Sequence, residues 1–241
     1  MTSKHEIQHS IPREVGLTIR AETIKFFSGT SFSDTLSEVI HGDSLAQTMT
    51  LPSGIEREAI HRDMVVDDGW REEYWEIQSD GEVERRDRSA FSRLPGNRRF
   101  SHSDCLRRPL RDAYALRGLL SGLHSSDVLT AITSVIGRGP VSYMTADIAR
   151  YRPGHYLRRH DDVYDGRIFG LVFFLHPKWE SSAGSRLVAE KPDGRSMVVE
   201  PLSNTVAIMR LADGHFHQVE QNVSRSWDRY SIAVHFGLSN E

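Results

Sequence analysis

A run of five apolar residues, Leu-Val-Phe-Phe-Leu at positions 171–175, restricts the fold more than any other part of the sequence. Successive side chains of a strand point to opposite faces of its sheet, so a strand with this sequence is apolar on both faces. Such a strand must be covered on both sides. We therefore predict a central strand in a sheet that has the preceding helices of the chain packed on one face.

The chain changes character near residue 140. Beyond that point, short runs rich in Val, Ile, Phe and Tyr are separated by Gly or Pro. They predict strands at residues 141–151, 167–175, 186–190, 197–200, 205–211 and 229–236. Many short strands of this kind favour a sandwich or barrel, including the double-sheet jelly roll. We predict a mostly β protein with helices (α+β), in which a helix-rich part at 1–139 and a β-rich part at 140–241 together form one compact domain.

Three stretches of the first part have helical patterns. Residues 104–123 place six leucines at mostly helical spacings. A second helix follows, with Ser125 or Ser126 as its cap and Gly137 at its end. Residues 35–49 are a further helical candidate.

The segment from Arg85 to Arg99 is strongly basic, with six arginines around Pro95 and Gly96. The preferred interpretation is a solvated loop, since runs of charge are usually exposed. The alternative is a mobile flap that contacts an acidic or phosphorylated substrate. We expect residues 1–139 to contribute to the choice of substrate.

Composition excludes several classes of protein. The chain has 241 residues, of which 38% are hydrophobic and 26% charged, and a net charge of -3; this is typical of a globular protein and makes nucleic acid an unlikely partner. Cys105 is the only cysteine, so an intrachain disulfide and a cysteine-rich zinc site are both excluded. No apolar stretch is long enough to span a membrane, and residues 1–16 contain no apolar run. We therefore predict a cytoplasmic protein without a secretory signal or a membrane partner.

The pattern with the clearest chemistry is His160-Asp161-Asp162. Side chains at i and i+2 of a strand point the same way, so His160 and Asp162 can bind one metal ion while Asp161 faces away. Two imidazoles and one carboxylate on one face of an octahedron are the ligand set of non-haem iron(II) oxygenases. The second histidine must come from a distant strand. His217 is the preferred candidate, and His215 is a rival because it points to the same face if that segment is extended.

An arginine and a serine follow at the start of the last predicted strand. Arg229 and Ser231 lie two residues apart and therefore on the same face. A buried guanidinium can make a two-pronged bond to the distal carboxylate of 2-oxoglutarate, with the serine hydroxyl as a second donor. Each of these elements is common by itself. Their order, strand context and combination predict an iron site beside a pocket for this keto acid.

Residues 140–238 resemble the prolyl 4-hydroxylase-like branch of the 2-oxoglutarate/iron(II) oxygenases, and within it the ribosomal prolyl hydroxylases. The resemblance rests on Tyr-Arg-Pro-Gly-His-Tyr-Leu at 151–157, His160-Asp161-Asp162, Gly166-Arg167, the run that ends at Leu175, Trp179, Gly-Ser-Arg-Leu at 184–187, His217-Gln218-Val219 and Arg229-Tyr230-Ser231-Ile232.

This resemblance implies a double-stranded β-helix, a jelly roll, with helices packed on its major sheet. Residues 140–241 are then the catalytic core, and residues 1–139 a supporting and substrate region. It implies Fe(2+) held by His160, Asp162 and His217, with Arg229 on the far carboxylate of 2-oxoglutarate. O2 is the other cosubstrate, and ascorbate is a candidate additional cofactor. Tyr151 lines the cosubstrate or substrate pocket, unless it is only a core aromatic.

The implied reaction is hydroxylation of an unactivated C–H bond, coupled to decarboxylation of 2-oxoglutarate to succinate. By analogy alone, the preferred substrate is a prolyl residue in a protein or peptide. A free amino acid or a natural-product intermediate is the first alternative. A non-catalytic, cupin-like metal-binding protein is the alternative from another class. The sequence does not indicate an oligomeric state.

Three departures from the family pattern lie near the pocket. Ser185 follows Gly184 where the family usually has a second glycine, Phe173 or Phe174 replaces a tyrosine, and His235 stands where a tryptophan is common. None of these residues is expected to touch the ligand set. They concern the choice of substrate more than the reaction.

Overall fold

The computed structural model describes residues 11–163 and 166–239. The α-helices within them are α1 Arg13–Phe27, α2 Thr30–His41, α3 Arg57–Val66, α4 Arg88–Arg93, α5 Tyr114–Leu123 and α6 Ser126–Ile136. The strands are β1 Ala46–Thr50, β2 Trp70–Ile77, β3 Val83–Arg86, β4 Arg99–Leu106, β5 Val141–Tyr151, β6 Tyr156–His160, β7 Arg167–Phe174, β8 Leu187–Glu190, β9 Ser196–Val199, β10 Thr205–Arg210, β11 Phe216–Val219 and β12 Arg229–Leu238. Most of the N-terminal segment for which we predict no secretory signal lies outside the described residues.

The strands form one antiparallel, nearly closed sheet in the order β1-β10-β7-β12-β5-β4-β6-β11-β8-β9. The first five of these strands make a major sheet, and the last four make a minor sheet. β4 joins the two because it pairs with both β5 and β6. β2 pairs with β4 and, on its other side, with β3. This is the predicted jelly roll, and the fold prediction is confirmed.

β7 is the central strand that the apolar run predicts. It lies between β10 and β12, and its side chains alternate between two separate cores. Phe169, Leu171 and Phe173 pack in the larger core with the helices, whereas Val172 and Phe174 belong to a smaller cluster between the two sheets. Both faces of the strand are therefore covered, as its sequence requires.

The helices pack on the outer face of the major sheet. Apolar side chains of α1, α2, α5 and α6 share the larger core with those of β7, β10 and β12. Two glycines bring α1 and α5 together: a Cβ atom added at Gly118 would overlap the carbonyl oxygen of Gly16. The backbones of the two helices thus touch without intervening side chains.

Several predicted elements are confirmed. β5 has the predicted bounds, and β7, β8, β9, β10 and β12 differ from the predictions by two residues or fewer at each end. α6 is capped as predicted: the Ser125 hydroxyl accepts a hydrogen bond from the Val128 amide at 3.4 Å, and Gly137 ends the helix with a φ of 66°.

Two helix predictions were wrong in part. The helix predicted at 104–123 begins only at Tyr114, because Leu106 is the last residue of β4 and Leu110 lies in the connection. The helix predicted at 35–49 ends at His41, and β1 then pairs with the edge of the major sheet. In both cases tertiary pairing of a strand outweighs the local helical spacing.

The basic segment is mostly exposed to solvent, as the preferred interpretation expects, but it is not an irregular loop. It contains β3, α4 and a 3-10 helix at Gly96–Arg98, and several of its arginines form ion pairs with β2. Arg86 and Arg98 both contact the buried carboxylate of Glu76, and Arg85 lies 3.8 Å from Glu73. Much of its positive charge is therefore neutralised within the fold.

Among the described residues, no single helix is long and apolar enough to cross a membrane. Only the bent pair formed by α5 and α6 meets the criteria of length and composition together. The apolar faces of these two helices are buried in the larger core.

We predict that Gly118→Ala destabilises the protein. Alanine is the better helix former by about 1 kcal/mol, but its methyl group would force α1 and α5 apart at a cost of about 1–3 kcal/mol. Urea unfolding would give a lower free energy of unfolding than for the wild type. Arg117→Ala, at an exposed position of the same helix, is the control and should be neutral. A Gly118→Ala protein more stable than the wild type would contradict the close contact of the helices.

Candidate active site

A cavity of about 640 Å³ lies between the major and the minor sheet. The side chains that are buried in it are mostly apolar and come from both sheets. They include Val172, Leu187, Met209 and Val219, with the partly buried Ala233 beside them. Trp75, Ile77, Val83, Phe100 and Phe216 are more exposed and line the outer part. The space that the two sheets enclose is thus a pocket with an apolar wall and an opening bordered by the β2–β3 hairpin.

His160, Asp162 and His217 meet at this cavity. The two histidines are cross-strand partners, because β6 and β11 pair with His217 opposite His160. Nε2 of His160 lies 3.5 Å from Oδ1 of Asp162, and Nε2 of His217 lies 3.2 Å from Oδ2. One nitrogen or oxygen atom of each residue lies within 4.8 Å of those of the other two. One metal ion can therefore contact all three.

Asp162 reaches this position in a different way from the one we predicted. β6 ends at His160, so Asp162 is not the second same-face residue of a strand. Its φ of 54° lies in the left-handed region, which turns the chain and brings the carboxylate back to the imidazoles. Aspartate tolerates this conformation better than most residues with a side chain. The pairing of His and Asp thus depends on the turn after the strand.

The protonation states of Asp162 and His217 suit a divalent metal. Burial opposes ionisation of Asp162, but hydrogen bonds from His160, His217 and His235 hold its pKa far below the ordinary value. Burial lowers the pKa of His217 to about 4, so this imidazole is neutral at pH 7. Burial also acts on His160, but its hydrogen bond with Asp162 raises the pKa. Two imidazoles and an ionised carboxylate match the donor set that iron(II) takes in oxygenases.

Arg229 is a buried cation in the same cavity. It is 1% exposed, and its Nη1 donates a hydrogen bond to the Ser185 carbonyl at 2.8 Å. No carboxylate of residues 11–163 or 166–239 forms an ion pair with it, and its Nε has no hydrogen-bond partner there. Burial lowers its pKa to about 10. An uncompensated guanidinium is costly to bury, so this position fits the carboxylate of a bound ligand.

Ser231 and Tyr151 lie next to Arg229 on the cavity wall. Ser231 is two residues further along β12, and Tyr151 is the cross-strand partner of Arg229 on β5. The guanidinium lies 5.2 Å from the centre of the Tyr151 ring, and burial raises the pKa of the tyrosine. The predicted arginine, serine and tyrosine are therefore brought together. A dicarboxylate can be held at one end by these groups.

His215 does not join the metal-binding group. The chain turns just before β11, where the His215 amide donates to the Ala212 carbonyl, so the extended conformation that would align His215 with His217 begins only at Phe216. Among the described residues, the group with metal-binding spacing at this cavity consists of His160, Asp162 and His217 and does not include His215.

The three departures from the family pattern all lie close to these residues. Ser185 has a φ of 59°, a conformation that glycine adopts without strain, and its carbonyl accepts the hydrogen bond from Arg229. Phe174, and not Phe173, belongs to the smaller cluster between the two sheets, with its ring centre 5.0 Å from the guanidinium. Nε2 of His235 lies 3.3 Å from Oδ2 of Asp162. The expectation that His235 does not touch the ligand set is therefore wrong, although the period of two from Arg229 places His235 on the same face of β12.

A second group of possible ligands lies where β2 and β4 meet the turn between β5 and β6. It consists of Glu72, His102 and His155. Oε1 of Glu72 is 2.8 Å from Nε2 of His102 and 3.0 Å from Nη2 of Arg152. A guanidinium this close repels a cation, and Arg152 also binds the buried Asp104. We therefore interpret this group as an ion-pair network that joins the hairpin to the core.

Comparison with known proteins agrees with this geometry. Residues 146–237 match the family model of the 2OG-Fe(II) oxygenase superfamily. A prolyl hydroxylase of Trichoplax adhaerens, in complex with a peptide fragment of the hypoxia inducible factor oxygen degradation domain, is similar with a TM-score of 0.64 and 14% identity, over 86% of this chain and 89% of that one. A prolyl-4-hydroxylase of Pseudomonas putida has a TM-score of 0.58 and 19% identity, over 85% and 100%. An oxidoreductase of the 2OG-Fe(II) oxygenase family from Burkholderia pseudomallei has a TM-score of 0.57 and 16% identity, over 86% and 91%. These likenesses to solved structures concern the fold.

We predict that Arg229→Met stabilises the ligand-free protein. The substitution removes a buried charge that has no counter-ion in the described fold, and methionine fills a similar volume among apolar neighbours. The free energy of unfolding should rise by on the order of 1–3 kcal/mol. Arg225→Met, at an exposed position before the same strand, should change it little. A loss of stability in Arg229→Met beyond that of the control would assign the guanidinium a structural role.

Proposed function

We propose that this chain is a 2-oxoglutarate-dependent dioxygenase, on the strength of the match of residues 146–237 to the 2OG-Fe(II) oxygenase superfamily, and that it hydroxylates an unactivated C–H bond of a prolyl residue in a protein or peptide. The observation that carries the proposal is the meeting, in one cavity, of the His160, Asp162 and His217 group with the buried Arg229. Membership of the ribosomal prolyl hydroxylase group stays a prediction.

We assign the iron to His160, Asp162 and His217. Their atoms are close enough to contact one ion, and their donor set leaves coordination positions for other ligands. The ionised Asp162 lowers the net charge at the metal. The neutral imidazole of His217 can bind through its nitrogen without first losing a proton. This assignment supports Fe(2+) over metals that prefer sulfur or all-oxygen sites.

Arg229, Ser231 and Tyr151 are assigned to 2-oxoglutarate. The guanidinium neutralises the far carboxylate of the cosubstrate and is itself relieved of an uncompensated charge. Ser231 offers a hydroxyl donor on the same face of β12, and Tyr151 covers the guanidinium from β5. Residues on two adjacent strands thus orient the molecule lengthwise between Arg229 and the metal group.

When bound, iron, 2-oxoglutarate and O2 supply the oxidation, which converts 2-oxoglutarate to succinate and carbon dioxide while the substrate gains a hydroxyl group. The chain contributes orientation and shelter. The apolar wall formed by Val172, Leu187 and Val219 keeps bulk water from the reacting groups. Arg229 fixes one end of the cosubstrate, so that its other end meets the metal in one orientation.

Three observations support a prolyl peptide as the substrate. The cavity of about 640 Å³ is in the range of pockets for drug-sized ligands, which is more than 2-oxoglutarate alone requires. Its outer part has the apolar and aromatic side chains of Trp75, Ile77 and Phe100, which can pack on a proline ring. The similar Trichoplax adhaerens hydroxylase binds a peptide fragment. A free amino acid or a natural-product intermediate is the alternative substrate, while the family match disfavours a non-catalytic cupin.

We predict that Asp162→Ala abolishes succinate formation. Loss of the carboxylate removes one of three protein ligands and raises the charge at the metal. Succinate released from 2-oxoglutarate in the presence of Fe(2+) would be measured by coupled assay or mass spectrometry. Asp213→Ala, an exposed aspartate before β11, is the control and should keep wild-type turnover. Near-normal succinate formation by Asp162→Ala would show that the ligand assignment is wrong.

A parallel screen tests the substrate. Prolyl peptides, free amino acids and nucleosides are each added to the enzyme with Fe(2+) and 2-oxoglutarate, and substrate-stimulated succinate is compared. We expect stimulation by prolyl peptides, with a gain of one oxygen atom in the peptide mass and no gain with the Asp162→Ala variant. Stimulation by small molecules alone would overturn the prolyl proposal and leave the reaction class intact.

A further inference from the structure

We propose that His235 is a positioning residue that holds the carboxylate of Asp162 in its metal-binding orientation. This inference rests on the proposed role of Asp162 as an iron ligand. His235 is 5% exposed and lies on the cavity face of β12, in the same alternating series as Arg229 and Ser231. Its Nε2 atom is 3.3 Å from Oδ2 of Asp162.

Four side chains from three strands and one turn form a closed set of contacts around the carboxylate. Nδ1 of His235 lies 3.2 Å from Oγ1 of Thr145, its cross-strand partner on β5. Arg167, at the start of β7, donates from Nη2 to the same Oγ1 at 3.1 Å. Its Nη1 lies 4.0 Å from Oδ1 of Asp162. The path from Asp162 through His235, Thr145 and Arg167 thus returns to the other oxygen of Asp162.

The directions of the hydrogen bonds in this ring are consistent. An ionised carboxylate can only accept hydrogen bonds, so His235 must carry a hydrogen on Nε2 in order to donate to Asp162. In the neutral imidazole, Nδ1 is then an acceptor. The Thr145 hydroxyl can donate its single hydrogen to Nδ1 and accept the N–H of Arg167 on a lone pair. The Thr145 hydroxyl is therefore compatible with the tautomer that lets His235 donate to Asp162; Oδ2 of Asp147, 3.7 Å from Nδ1, is the other group that faces this nitrogen.

Asp162 needs such a partner because the sheet does not hold it. It follows the end of β6, with a φ of 54°, and β6 does not extend to it. The imidazoles of His160 and His217 contact Oδ1 and Oδ2 of the carboxylate, respectively. His235 and Arg167 add contacts to Oδ2 and Oδ1 from strands that are fully paired. Partners of this kind orient a ligand, and their loss typically reduces metal affinity 10–100-fold.

The test measures binding of Mn(2+), which gives an electron paramagnetic resonance signal when free, without 2-oxoglutarate or substrate. We expect His235→Phe to weaken Mn(2+) binding about tenfold, since phenylalanine keeps a ring but donates no hydrogen bond. His235→Gln should recover part of the affinity through its amide donor. His124→Phe, at an exposed histidine after α5, is the matched control and should bind like the wild type.

Thr145 supplies a second, independent pair of variants. Thr145→Val removes the hydroxyl with little change of shape and should weaken Mn(2+) binding severalfold, whereas Thr145→Ser keeps the hydroxyl and should bind like the wild type. If His235 acted only through packing, Thr145→Val and Thr145→Ser would not differ in this way in their Mn(2+) affinity. If His235→Phe fails to fold, as judged by circular dichroism, His235→Gln and the Thr145 pair decide the question.

Two results would overturn the inference. Unchanged Mn(2+) affinity in folded His235→Phe would show that the contact does not matter. Three metal-bound imidazole nitrogens in pulsed resonance spectra, where we expect two, would make His235 a ligand and not a positioning residue. The Asp162→Ala variant separates these results from failure of the proposed function: if it still binds Mn(2+) normally, the ligand assignment itself is wrong.

Discussion

The packing of helices on one face of the major sheet is the interaction on which the rest of the structure depends. Most of the large apolar side chains of β7, β10 and β12 are buried there, against α1, α2, α5 and α6. That burial stabilises the sheet from outside. The two sheets therefore do not have to pack tightly on each other, and the smaller cluster between them can border a cavity. A sandwich that depended on its inner faces alone could not leave this space open.

The alternation of side chains that separates the two cores also separates apolar packing residues from the polar residues that line the cavity. On β12, Tyr230, Ile232 and Val234 belong to the helix-covered core, while Arg229, Ser231 and His235 line the cavity. Every second residue can thus carry a polar or charged group without disturbing the packing of its neighbours. The uncompensated Arg229 is tolerated because the surrounding strands are fully paired. The strand thus packs apolar side chains on one face and lines the cavity with polar and charged side chains on the other.

Period-two patterns made much of the fold and the site accessible from the sequence. The alternation predicted β7 as a central strand and β12 as a strand with Arg229 and Ser231 on one face. Ser125 and Gly137 predicted the two ends of α6. The ligand atoms of His160, Asp162 and His217 do meet. Their roles in binding iron stay a prediction, as does the division of the chain near residue 140.

Other features depend on contacts that local patterns do not contain. Leu106 has a helical spacing to later leucines, yet it ends a strand because β2 and β5 provide pairing partners for β4. The arginines of the basic segment resemble a solvated loop, but the buried Glu73 and Glu76 of β2 bind them. His235 lies in the site because the turn at Asp162 places the carboxylate next to β12.

The strand β4 has a consequence for how the protein can be divided. It comes from the helix-rich half of the chain, yet it forms the seam between β5 and β6, and β1 from the same half lies at the far edge of the major sheet beside β10. A fragment that began near residue 140 would keep His160, Asp162, His217 and Arg229 but would leave the backbone of β5, β6 and β10 unpaired along one edge each. Open edges of that kind pair with other chains. We therefore expect a fragment that begins near residue 140 to aggregate. Expression should include the residues that form β1 and β4.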